Sequence, residues 1–114
     1  MRRSRKDGNR LLPTKAKFTL GICQKAGKAV SGAFLIQELL KKKQKIYLLL
    51  LAEDVSERTR KEALFQAEKY KIELIERGSK IELGEAVGKS ERSMIAIIDE
   101  GLSRSLKKNL LEGC

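Results

Sequence analysis

Apolar residues recur along this chain in two rhythms. The run Ile46 to Ala52 is unbroken, too short to span a membrane and without the alternation of a half-exposed strand. Such a run suits the middle of a parallel sheet covered by helices on both faces. Met94 to Asp99 reads as a second buried strand. Ile72 to Glu76, with alternating glutamates, reads as a short strand at the sheet's side. Between these runs the spacing is helical. Phe18, Ile22 and Ala26 form one stripe, widened by Leu20 and Cys23, on a helix from about Lys15 to Ala26. Leu35, Ile36, Leu39 and Leu40 turn one side of the next helix to the sheet. Ala63, Leu64, Ala67 and Tyr70 line a third helix; Leu83, Ala86 and Val87 line a short fourth; Leu102, Leu106 and Leu110 line the last.

The punctuation fits these elements. Thr14 can cap the first helix and Gly27 ends it. Lys28-Ala29-Val30 is a short extended piece, and Ser31-Gly32 leaves backbone N–H groups at the start of the second helix. Asp54-Val55-Ser56-Glu57 and Ser79-Lys80-Ile81-Glu82 match capping boxes, the first opening a helix to about Lys71. Gly88 stops the short helix, and Lys89 to Arg92 is a polar loop. Helices and strands alternating over short links predict an α/β protein, a three-layer α/β/α sandwich with a small mixed sheet. The expected division is a basic disordered arm over residues 1–13 and one domain over residues 14–114.

Composition narrows the function. A chain of 114 residues supports one modest core. It has no apolar span near the length of a membrane helix, and Arg2, Arg3 and Arg5 precede no signal-peptide core. A cytoplasmic protein that binds no membrane is expected. Cys23 and Cys114 make neither a disulfide framework nor a metal spacing, and with no histidine a zinc site is not expected. Cys23 reads as a small core residue. The net charge of +10 is uneven: +4 in residues 1–10, +5 in residues 11–54 and +1 in the rest. Concentrated positive charge favours a polyanionic partner. Gly84 to Ser90 imitates a phosphate-binding loop, but only three residues separate its glycines and the context is inverted, helix before and strand after. Asp99-Glu100 and Glu53-Asp54 are neighbours at strand ends, where side chains alternate, so neither pair converges as an acid–base couple; capping explains Asp54. No catalytic residues and no cofactor are assigned. Five aromatic residues are too few for a sheet-borne stacking platform. What remains is an edge of loops and helix N-termini meeting phosphates and a few presented bases of folded RNA.

The segments LGICQKAGKAVSG, LLLLAEDVSERTRK, GSKIELGEAVGKSER and AIIDEGLSRSL, in this order and spacing from about Leu20 to Leu106, together resemble the bacterial YlxQ-type members of the kink-turn-binding ribosomal protein superfamily. The resemblance implies an α/β/α domain, without catalysis, that binds kink-turn or similarly bent RNA, in ribosomal RNA or a structured leader. Ribosomal proteins are possible further partners and the chain is expected to be a monomer. It places the RNA edge at Ser31, Gly32, Ala33 and Phe34, with Asp54, Ser56, Lys89, Ser90 and Arg92 across from them; Lys25, Lys28 and the basic arm are expected to supply phosphate contacts. The chain departs from the superfamily pattern at several points: Phe34-Leu35 stand in place of a polar pair, Glu38 in place of a lysine, and the loop Lys89 to Ser93 offers no apolar residue to flipped bases. Phe34 is expected to fold back as core; its alternative role is a stacking surface for an unpaired base. The competing functional reading is a protein-interaction module of the ribosome or its assembly factors with a degenerate RNA edge, and a nonspecific polyanion or DNA role stands behind both.

Overall fold

The computed structural model describes residues 11–112. In chain order the elements are α1 (Thr14–Lys25), β1 (Ala29–Ser31), α2 (Ala33–Lys41), β2 (Leu48–Leu51), α3 (Glu57–Lys69), β3 (Leu74–Glu76), α4 (Lys80–Ala86), β4 (Met94–Ile97) and α5 (Glu100–Glu112). The four strands form one sheet in the order β1-β4-β2-β3. Strand β2 runs parallel to β3 and antiparallel to β4, which is antiparallel to β1. The sheet is therefore mixed, and the buried run lies between one parallel and one antiparallel neighbour.

Every residue of β2 and β4 is buried. Alternation divides them between two cores. Leu48, Leu50, Ile95 and Ile97 meet α1, α4 and α5 through Leu20, Cys23, Leu83, Leu106 and Leu110. Leu49, Leu51, Met94 and Ala96 meet α2 and α3 through Ile36, Leu40 and Ala63. This is the three-layer sandwich, and β3 lies at its edge as its glutamates imply.

Several helices bury a narrower face than the expected stripe. In α1 the inward residues are Ala16, Leu20 and Cys23, whereas Phe18 is 72% exposed and Ile22 points to solvent. The reason is crowding. Helix α1 lies over the sheet between α4 and α5, with Thr19 Oγ1 donating to Asn109 Oδ1 at 2.6 Å and Lys17 pairing with Glu82. Ala16, Leu20 and Cys23 fill that floor, and Phe18 and Ile22 are left on the outer side. Pro13, not Thr14, stands at the N-cap, and no side chain caps that turn. In α2 only Ile36 and Leu40 are fully buried and Leu35 is exposed; in α3 Ala63 and Ala67 are buried while Leu64 and Tyr70 are exposed.

Residues ahead of Thr14 also pack against the domain. Leu12 and Pro13 are buried, the Leu12 amide faces the Glu82 carboxylate, and Arg77 Nε donates to Leu11 O at 3.1 Å. Residues 1–10 of the expected arm, and Cys114, lie outside the described residues. Cys23 is fully buried. Burial first, then the nearby Asp99 carboxylate, pushes its thiol from 9.0 up to about 11, which keeps it protonated and unreactive near neutral pH.

Candidate nucleic-acid interface

The register brings one set of strand ends to a common margin. Ser31 lies opposite Ile95, Leu51 opposite Met94, and Leu51 also opposite Glu76. The chain just beyond these ends supplies the turn at Gly32, the passage through Asp54 and Ser56, and the loop that returns from α4 to β4. Backbone bonds strap these pieces together: Gly32 N donates to Met94 O at 3.0 Å, Ala52 N to Ser93 O at 2.9 Å, and Glu53 N to Gly78 O at 2.7 Å. Helices α2, α3 and α4 all begin here, so their positive dipole ends face the same side.

Two of those helix starts are closed by side chains. Ser56, not Asp54, caps α3, its hydroxyl accepting from Thr59 N at 3.1 Å. The α4 capping box is complete, with Ser79 Oγ accepting from Glu82 N and Glu82 Oε1 accepting from Ser79 N. Asp54 is a cap after all, but for the wrong helix by sequence: its Oδ1 accepts from Lys80 N at 2.9 Å. Lys80 in turn pairs with Glu91. Lys80 and Glu91, with Val55, Ser56, Thr59 and Ser93, line a surface depression of about 330 Å³.

The returning loop is held close to α4. Lys89 N donates to Gly84 O at 2.8 Å and Arg92 N to Lys80 O at 3.0 Å. A Cβ on Gly84 would collide with the Ser90 carbonyl, its carbon only 2.6 Å away. Arg92 is the brace across the margin. Its Nε donates to Ser31 Oγ at 3.2 Å, and its other guanidinium nitrogen reaches Ser90 Oγ, Ser90 O and Glu91 O. Much of the Arg92 donor capacity is thus spent inside the protein, while Lys89 and Ser90 are exposed.

The head of α2 is different. Gly32 has φ +98 and ψ 139, and no side chain caps the turn that follows. That backbone conformation belongs to glycine. The first-turn amides of Ala33, Phe34 and Leu35 have no acceptor within the helix. Phe34 is 72% exposed and Leu35 53% exposed, so Phe34 is not a core residue. The ring projects from the outer side of the helix because Ile36 and Leu40 already cover the sheet beneath. Glu38 and Lys41 lie on the same side as Phe34 at helical spacing, and pair with each other at 3.6 Å.

The structure thus gathers Ser31, Gly32, Ala33, Phe34, Asp54, Ser56, Lys89, Ser90 and Arg92 around one margin. Lys25 and Lys28 stand apart. Lys28 O accepts from Ile98 N, which places Lys28 past the opposite end of β4, about 10 Å from Ser31 at the rise of a strand. Glu38 lies farther along α2, more than a turn beyond Gly32. Lys80 was not singled out by sequence, although its place inside a capping box was the available signal. The Gly84–Ser90 contact left no signal except a glycine within a helix. Among the described residues no group of three or more His, Cys, Asp or Glu is arranged to hold a metal ion, and no helix is long and apolar enough to cross a membrane.

Comparison with known proteins places this geometry. The family described as "Ribosomal protein L7Ae/L30e/S12e/Gadd45 family" matches over residues 14–107. A protein of Enterococcus faecium named "RNA-binding protein YlxQ" is 32% identical over 108 residues, covering 94% of this chain and 98% of its own. A Bacillus subtilis (strain 168) protein of the same name is 35% identical over 88 residues, covering 76% of this chain and 86% of its own. Among solved structures, a protein of unknown function from Bacillus halodurans C superposes with a TM-score of 0.79 at 30% identity, covering 86% of this chain and 98% of that one.

Proposed function

From the fact that the chain belongs to the ribosomal protein L7Ae/L30e/S12e/Gadd45 family, we propose that it is a non-catalytic RNA-binding protein of ribosomal type that recognises kink-turn or similarly bent RNA. Ribosomal RNA or a structured leader is the substrate class, and the cytoplasm is where it would be met. The observation that carries this reading is the single sheet margin where the Gly32 turn, the Ser56 passage and the loop from Lys89 to Ser93 meet. Phosphates approach the open backbone at Gly32, where nothing lies within 4 Å of a Cβ position, and the helix dipoles favour their charge. Lys89 extends the contact on the far side. Lys25, Lys28 and the arm of residues 1–10 reach phosphates flanking the bend. The relatives named as RNA-binding proteins support the same partner.

The test is a binding titration with a kink-turn hairpin and a fully paired stem of equal length, repeated over a range of salt. The bent RNA should bind more tightly, and log K should fall against log salt by about 0.7–0.9 per phosphate contacted. Glu38→Lys should strengthen binding by about 1–3 kcal/mol through a charge-assisted contact, with stability unchanged because the Glu38–Lys41 pair is exposed. Equal affinity for both RNAs would leave only nonspecific polyanion binding. The exposed Phe18 and Ile22 on the outer side of α1 favour protein interaction as a second reading, and capture of ribosomal proteins without RNA would select it.

A further inference from the structure

The head of α2 presents two things side by side that no other helix among the described residues combines. One is an aromatic ring, Phe34, 72% exposed and followed by the exposed Leu35. The other is a first turn that no side chain caps, preceded by a glycine with open space around it. The exposed rings Phe18 and Phe65 lack that second feature, since they lie within α1 and α3 rather than at their starts.

Resting on the RNA-binding reading above, we propose that Phe34 is a stacking platform for one unpaired base, so that this chain reads its bent RNA through a π-face where polar side chains would otherwise read it. A nucleotide fits both halves of the surface at once. Its base covers the ring, and its phosphate supplies acceptors for the free amides of the same turn and for the charge of a chain that is +10 overall. A dry apolar protein surface laid over Phe34 would cover those amides without replacing their water, at the cost of unsatisfied donors. The Arg92 brace to Ser31 holds the preceding turn in place, so the platform stands on fixed backbone. Stacking tolerates any base, and the predicted consequence is selection for an unpaired nucleotide at one position with little preference for its identity.

The experiment begins with hairpins whose stem carries a randomised unpaired bulge, selected on the purified full chain. The tightest binder is then remade with each bulge nucleotide abasic in turn. Wild type should lose about 5- to 150-fold in affinity at one abasic position. Phe34→Ala should lose a similar factor on the intact RNA and lose nothing further on that abasic RNA, because each change removes the same contact. Phe34→Tyr should bind as wild type, and Phe34→Leu, which keeps an apolar side chain without a ring, should bind like Phe34→Ala. Melting temperatures of all three variants should match wild type. If Phe34→Leu binds as tightly as wild type, or Phe34→Ala weakens intact and abasic RNA equally, the stacking role is overturned while RNA binding stands. If no bulged hairpin outcompetes the fully paired stem, recognition of bent RNA falls, and this role with it.

Discussion

Helices α2 and α4 start at the same sheet margin and treat it in opposite ways. The head of α4 is closed on itself. Ser79 and Glu82 satisfy its first amides, Asp54 takes the Lys80 N–H, and the loop carrying Ser90 presses on Gly84. The head of α2 carries no cap and holds a phenylalanine and a leucine out to solvent. Polar groups at α4 are consumed in holding the margin's shape, whereas those at α2 remain available. On the proposed function, the difference separates scaffold from recognition surface within a few residues of the same sheet. It also explains why capping, which reads as a folding signal, is informative by its absence.

Five substitutions test that contrast, beginning with the most damaging. Gly84→Ala drives a methyl group into the backbone of Ser90 and Glu91. A loss of about 3 kcal/mol is expected from overpacking against main chain, even after alanine regains about 1 kcal/mol of helix propensity. Chemical denaturation measures it, and a neutral result would mean that the loop is not clamped. Gly32→Ala comes next. Open space surrounds the position, so its cost is conformational, about 1–3 kcal/mol for a side chain at φ +98. A crystal structure of the variant should show a shifted turn and an otherwise intact core.

Ser79→Ala should cost about 1 kcal/mol, the usual value of an N-cap, read as a lower thermal midpoint. Asp54→Ala combined with it would reveal whether the two caps on α4 act separately. At the foot of the scale, Phe34→Ala should alter stability by no more than about 0.5 kcal/mol, as for any exposed position. A loss approaching the several kcal/mol of a core phenylalanine would erase the distinction between the two helix heads.

Much of the fold is legible in the residues themselves. Ile46 to Ala52 and Met94 to Asp99 had to be covered on both sides, because continuous apolar runs of strand length have no face to give to water. The Ser79 box names its helix start directly, since both partners are three residues apart in the chain. The margin's components were legible too, through the positions of Gly32, Ser56 and the loop from Lys89. What failed was the extent of the buried face. Leu20 and Cys23 in α1 and Ile36 and Leu40 in α2 are buried as their stripes imply, joined by Ala16, yet Phe18, Ile22, Phe34 and Leu35 stay outside.

Periodicity and caps are local, so the sequence by itself determined which segments are strands, where most helices begin, and that one basic domain with a loop-and-helix edge results. Helical spacing fixes which residues share a face but not which face turns inward. That decision belongs to the packing between layers: α1 lies over the sheet between α4 and α5, where Ala16, Leu20 and Cys23 fill the space and Phe18 and Ile22 stay outside. Tertiary structure alone also decided that Asp54 caps α4 across 26 residues and that Arg92 braces Ser31 across 61. Each joins residues distant in the chain, and their distances are set by strand register, which no local pattern encodes.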